Sequence, residues 1–370
     1  MPTADEMLGR QVVHNLTQMI VAAAPGKACE QMATAPEQVV GLPMRQRVDV
    51  VVSALLHDLG TEHTELVSVL RRAASDHPSD FSGWLIWPVT EAAAQSAVTH
   101  GTDEAFHDAL DFLAELTHRF TSEFALRILL RHNVEAALRT ITTWTASEDH
   151  HVRRLASEGT RLFLPWGLRV SQLNEIPAST LPILNALYND PSEYVRRSVA
   201  NHLNDLSRDH ADLVLHTARA WANSPGAHTQ RTIKHALRTL IKRGNPEALE
   251  LIGFTPVEVE VHGPFVDRPT IEWGGSVQLR ASLHNSGAAT ARVLIDYVMH
   301  YCKANGTTSP KVFKWTTVEL APGETVELER EHSFRPISTR TYHAGTHAVS
   351  VQVNGVAYPA AEFELMARLS

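Results

Sequence analysis

The chain has only two cysteines in 370 residues, Cys29 and Cys302. Placed so far apart, they form neither a disulfide framework nor a zinc knuckle, and they read as ordinary thiols of a reducing cytoplasm. Long apolar runs are also lacking. The most apolar stretch, 48–56, is broken by Asp49 and falls short of the ~18 residues a membrane span requires. Near the start, no basic segment leads into an apolar core, so no secretory signal is expected. Positive charge is the scarcer sign, with 33 Lys+Arg against 41 Asp+Glu and a net charge of −8. That total argues against indiscriminate binding to nucleic acid.

What is present belongs to a soluble globular protein of about two domains. Hydrophobic residues make up 44% and charged residues 20%. The charge is unevenly spread: residues 1–147 net −8, residues 148–254 net +2 and residues 255–370 net −2. Only the middle third is basic, and local charge governs the holding of phosphates.

Apolar residues recur at three- and four-residue spacing over 8–24, 48–59, 66–74, 105–116, 124–130 and 134–144, which predicts helices. Beyond Phe254 the period becomes two. Val257, Val259 and Val261 alternate with polar residues, as do Val277, Leu279, Ala281 and Leu283. Val349, Val351 and Val353 lead into Asn354-Gly355, a hairpin signal of type I′. The expectation is a mainly α chain: helical repeats over 1–254, then an all-β sandwich of immunoglobulin-like type over 255–370, with about seven strands.

The helical half repeats. Val152-Arg153-Arg154 returns after 43 residues as Val195-Arg196-Arg197 and after 38 more as Ile233-Lys234-His235. A period near 40 residues, one helical hairpin each, is the signature of a HEAT-like solenoid. Ser147 and Asp190 are the expected N-caps of the first two copies, with Pro191 at the first helical position. Steps of four along each copy place Arg154, Glu158, Arg197, Asn201, Asp205, His235 and Arg243 on one polar ridge. Val195, Val199, Leu203 and Leu206 then face the core. Such a ridge suits a charged, extended partner. For any one arginine, though, a pairing that merely stiffens the stack is an equal alternative. The helix after Glu158 is expected to stop at Leu164-Pro165-Trp166-Gly167, before a long connection. Trp166 there is either a core plug or a functional group.

These residues resemble a known family. His151-Val-Arg-Arg-Leu-Ala-Ser-Glu-Gly159, the segment 161–166 and Asp190-Pro-Ser-Glu-Tyr-Val-Arg-Arg-Ser-Val-Ala-Asn201 are similar to the AlkC branch of the AlkC/AlkD alkylpurine DNA glycosylases. Residues 229–244 and the C-terminal sandwich fit the form of that branch carrying an immunoglobulin-like domain. The resemblance implies excision of cationic N-alkylated bases (3-methylcytosine, 1-methyladenine, 3-methyladenine) from double-stranded DNA, without base flipping. It assigns active-site roles to the carboxylates Glu123, Glu158 and Asp205 and to Trp166. Glu123 is also open to the plainer role of a first-turn partner for the helix dipole.

A ring-alkylated base already carries positive charge and leaves without protonation. Carboxylates beside the sugar then stabilise the oxocarbenium-like cation. The expected enzyme needs neither metal nor organic cofactor and works as a monomer. Arg154, Arg197, His235 and Arg243 would hold phosphates. Lys303, Lys311 and Lys314 lie in or beside a polar loop of the sandwich and would extend that grip, unless the loop is only a solvated hairpin tip. Two alternatives stand beside this reading. Leu56-His57-Asp58-Leu59-Gly60, with His63, resembles the His-Asp pair of metal phosphohydrolases, but no matching motif surrounds it, and His57 is expected to be partly buried. The other alternative is a non-catalytic repeat scaffold that binds DNA or protein.

Overall fold

The computed structural model describes residues 2–368. Helices fill the chain to Leu251 and strands begin at Val259, so the change of period marks the change of structure. The repeat helices stack as their register predicts: His150–Glu158 lies beside Glu193–Leu206, which lies beside Thr229–Ala236. On the middle helix Val195, Val199, Leu203 and Leu206 are wholly buried. Each such side chain contributes ~1.5–3 kcal/mol by leaving water.

The helix starts differ from the expected caps. Asp149, not Ser147, caps His150–Glu158, accepting from the His151 N–H at 2.8 Å. Asp190 stands outside its helix, which begins at Glu193. Its carboxylate instead accepts from the Ser192 N–H and from Arg153 Nε and Nη2. The first arginine of each Val-Arg-Arg is the stiffening one: Arg153 donates to the Ser147 and Glu148 carbonyls, and Arg196 to those of Asp190 and Pro191. That leaves the second arginine, Arg154 or Arg197, for other work.

Eight strands follow: β1 (Val259–Val266), β2 (Thr270–Ile271), β3 (Ser276–Asn285), β4 (Ala291–Cys302), β5 (Thr308–Leu320), β6 (Thr325–Ser333), β7 (Gly345–Val353) and β8 (Val356–Leu365). They form a three-stranded sheet, β1-β3-β6, and a five-stranded sheet, β2-β8-β7-β4-β5, antiparallel except for the short β2–β8 pair. The two-residue β2 is what a count of alternating runs overlooks. Val277, Leu279, Ala281 and Leu283 are buried in the sandwich core with Val349, Val351 and Val353. Asn354 and Gly355 both have positive φ, 41° and 84°, as a type I′ turn requires. β5 takes in Lys311 and Lys314, so of the expected loop only the turn around Lys303 remains outside a strand.

The chain forms two compact units. One comprises residues 1–214 and 224–236, the other 215–223 and 237–370. The last helical residues therefore cluster with the sandwich. Arg292 of β4 lies over the Phe254 ring at 4.7 Å, and Asn354 Nδ2 donates to the Thr255 carbonyl. Removing residues 256–370 would uncover this packing. Point substitutions are therefore the better probe of the sandwich.

Candidate active site

Three carboxylates and two guanidiniums meet in the helical unit. Glu123 opens the helix Glu123–His132, Arg154 and Glu158 lie one turn apart on His150–Glu158, and Asp205 lies near the end of Glu193–Leu206. The expected surface ridge is here a buried cluster, with Glu123, Glu158 and Asp205 only 7%, 6% and 3% exposed.

Arg154 turns inward and pairs with Glu123, donates to the Thr121 hydroxyl at 2.8 Å and reaches Glu158 at 3.5 Å. Tyr194 covers the outer face of its guanidinium, 5.1 Å from the ring centre. Arg154 was expected to hold phosphate; here it is the counter-ion of the carboxylates. Arg161, which sequence reasoning missed, bridges the other two acids. Its Nη1 donates to Glu158 Oε1 at 2.6 Å and its Nε to Asp205 Oδ2 at 2.9 Å.

Steps of four lead from Glu158 to Leu162 and pass over Arg161, although a spacing of three shares the helix face as well. The helix itself ends at Glu158. Gly159 follows because the chain passes close to the neighbouring helix, where a Cβ would stand 2.4 Å from Leu126 Cδ2. The spacing of three between Glu158 and Arg161 was the available signal.

The cluster's electrostatics are graded. Burial pushes the Glu123 carboxyl up, and Arg154 offsets this only in part. Burial also pushes Glu158 up, but Arg154 and Arg161 together outweigh it and hold the carboxyl below its usual range. A buried, ionised Glu158 places negative charge where water screens it little.

Trp166 lies on the connection that follows. It is 59% exposed and has a φ of +63°, a left-handed conformation uncommon for a bulky residue. It is no core plug. Its ring lies 6.4 Å from Trp87, nearly parallel, and 6.1 Å from Trp84, while Trp87 stacks on Phe124 at 4.1 Å. The Trp87 indole N–H donates to Glu91 at 2.7 Å, and Arg45 holds Glu91 from the other side. An aromatic wall thus backs onto the residue after Glu123.

Other expected DNA contacts are dispersed. Arg197 and His235 line a shallow cleft with Arg196, Arg231 and Glu193. Glu193 accepts from Arg197 at 3.2 Å, with Arg231 3.9 Å away. Arg243 caps the helix Arg238–Lys242 and is exposed in the other compact unit. Lys303, Lys311 and Lys314 are all exposed on the sandwich.

The His-Asp pair has structural employment. Asp58 accepts from the Gln31 and Met32 N–H groups at the start of Glu30–Gln38, while His57 is exposed rather than partly buried. His63 is buried between Ser96 and Asp108. No helix among the described residues is long and apolar enough to cross a membrane.

Comparison with known proteins agrees with this architecture. Residues 92–240 match the family model of the DNA alkylation repair enzymes, and residues 260–367 match that of the C-terminal Ig-like domain of the uncharacterised protein YhaZ. The chain is 34% identical over 325 residues to the uncharacterised protein YhaZ of Bacillus subtilis, covering 88% of each. Its structure is similar to that of the Pseudomonas fluorescens alkylpurine DNA glycosylase AlkC, bound to DNA containing an abasic site analog. The TM-score is 0.86 and the identity 32%, over 99% of this chain and 100% of that one. The chain belongs to the AlkC-type family of DNA alkylation repair proteins, in the form that carries a C-terminal immunoglobulin-like domain.

Proposed function

We propose that this chain is a DNA glycosylase that hydrolyses the N-glycosidic bond of cationic N-alkylated bases, such as 3-methylcytosine, 1-methyladenine and 3-methyladenine, in double-stranded DNA. It acts as a cytoplasmic monomer, leaves the base in the stack and uses no cofactor. Residues 1–254 carry the chemistry and residues 255–370 assist binding. One observation carries this reading: three buried carboxylates from three helices converge on Arg154 and Arg161, which hold Glu158 ionised away from water. A sugar cation forming beside these carboxylates is attracted to them, and the attraction grows as the bond breaks.

Glu158 and Asp205 stabilise the oxocarbenium-like sugar, and Asp205 orients the attacking water. Glu123 acts through Arg154. Trp166 presents an aromatic face to the cationic base or sugar, worth ~0.5–2 kcal/mol. Arg197, His235 and Arg243 hold phosphates and so position the duplex without reading its sequence. The decisive test is release of free base from duplexes holding 3-methylcytosine, 3-methyladenine or 7-methylguanine. Base release supports the reading, whereas binding to the same duplexes without release favours the scaffold alternative.

The sandwich is tested by salt. Lys311 and Lys314 are exposed on one strand. If both touch phosphate, replacing both by alanine weakens binding and flattens log affinity against log salt by about 0.9 per lost contact. An unchanged slope removes these lysines from the DNA interface.

A further inference from the structure

Arg161 is 8% exposed and joins acids from two repeats. Its backbone is secured from behind. Arg127, wholly buried, donates through Nη1 to the carbonyls of Gly159 (3.0 Å) and Arg161 (2.6 Å), and through Nε to that of Leu168 (2.8 Å). We propose that Arg161 is a positioning residue of the excision reaction: one guanidinium, clamped through its backbone by Arg127, holds Glu158 and Asp205 together as a charged pair. This deepens the glycosylase reading and rests on it.

The physical reason is repulsion. Two carboxylates brought close without a cation cannot both stay ionised, and one takes up a proton. A neutral acid stabilises a sugar cation far less. Arg161 also suits the geometry, because its planar fork serves two acceptors in fixed directions where a lysine offers a single point charge. The other groups facing the pair are Arg154 with Glu123 on one side, Ser198 on the Asp205 helix, and Arg127 behind. His202 also faces it and is held neutral by burial, at about 3.

The test is single-turnover excision of 3-methylcytosine from about pH 4 to 9 by the wild type, Arg161→Gln and Arg161→Lys. In Arg161→Gln the acid limb moves up by about one pH unit or more, with a smaller loss at alkaline pH. Arg161→Lys keeps the limb near its wild-type place and lowers the rate throughout. An unmoved limb in Arg161→Gln overturns the proposal, since a merely structural role would depress the rate evenly. Nuclear magnetic resonance of the wild-type Arg161 Nε–H gives a readout independent of activity and of variant folding. The proton resists exchange at neutral pH and is released as the carboxylates protonate. Fast exchange at neutral pH overturns the bridge. A wild-type protein that binds DNA without excising counts against the glycosylase reading alone, and the resonance still decides on Arg161.

Discussion

Asp205→Asn and Glu158→Gln are each expected to slow single-turnover excision by more than ~tenfold, at least ~1.4 kcal/mol of barrier. Both substitutions keep shape and a hydrogen-bonding oxygen for Arg161 while removing the charge that opposes the sugar cation. They also weaken a buried ion pair, because each acid is bonded to Arg161 away from water. Folding is thus less protected than on an exposed ridge, where these acids were expected. Leaving a buried charge without its partner can cost ~3–5 kcal/mol, so thermal unfolding belongs beside every rate. Glu123→Gln is expected to slow excision less, because burial already raises that carboxyl. Wild-type rates in folded Asp205→Asn and Glu158→Gln would remove both acids from the chemistry.

The second large effect concerns the charge of the lesion. Uracil and hypoxanthine leave well only when protonated, whereas 3-methylcytosine and 3-methyladenine depart already cationic. The candidate site holds its acids as acceptors. Glu123 accepts from Arg154 and the Thr121 hydroxyl, and Glu158 and Asp205 accept from Arg161. Glu158, held below its usual range by Arg154 and Arg161, is a poor proton donor. Neutral lesions are therefore expected to be excised at least ~100-fold more slowly than cationic ones, the lower end of what general acid–base catalysis contributes. Comparable release of uracil and 3-methylcytosine from one preparation would refute the mechanism.

Much of the architecture was legible in the chain. The switch from a period near four to a period of two separates helices from strands, because each period follows from backbone geometry and from one apolar face seeking cover. The recurrence of Val-Arg-Arg located the stacked helices, and Asn354-Gly355 located a hairpin turn. The identities of the acids were legible only through family resemblance. A lone Glu158 or Asp205 on a helix face is far more often solvated than catalytic.

Where each side chain went was not written in the spacing. Step counting put Arg154 and Glu158 on the same face but could not tell an exposed ridge from a buried cluster. Burial depends on what the next element covers. Arg161, the partner of Glu158, lies three residues on, where steps of four pass it over. The twin arginines look equivalent in sequence, yet Arg153 secures a loop while Arg154 enters the site. Sequence alone determined the element types, their order and the repeat, because these rest on local periodicity. Tertiary structure decided which charges meet, how deeply they lie and which stay ionised, because those depend on distances and solvent exclusion between residues far apart in the chain.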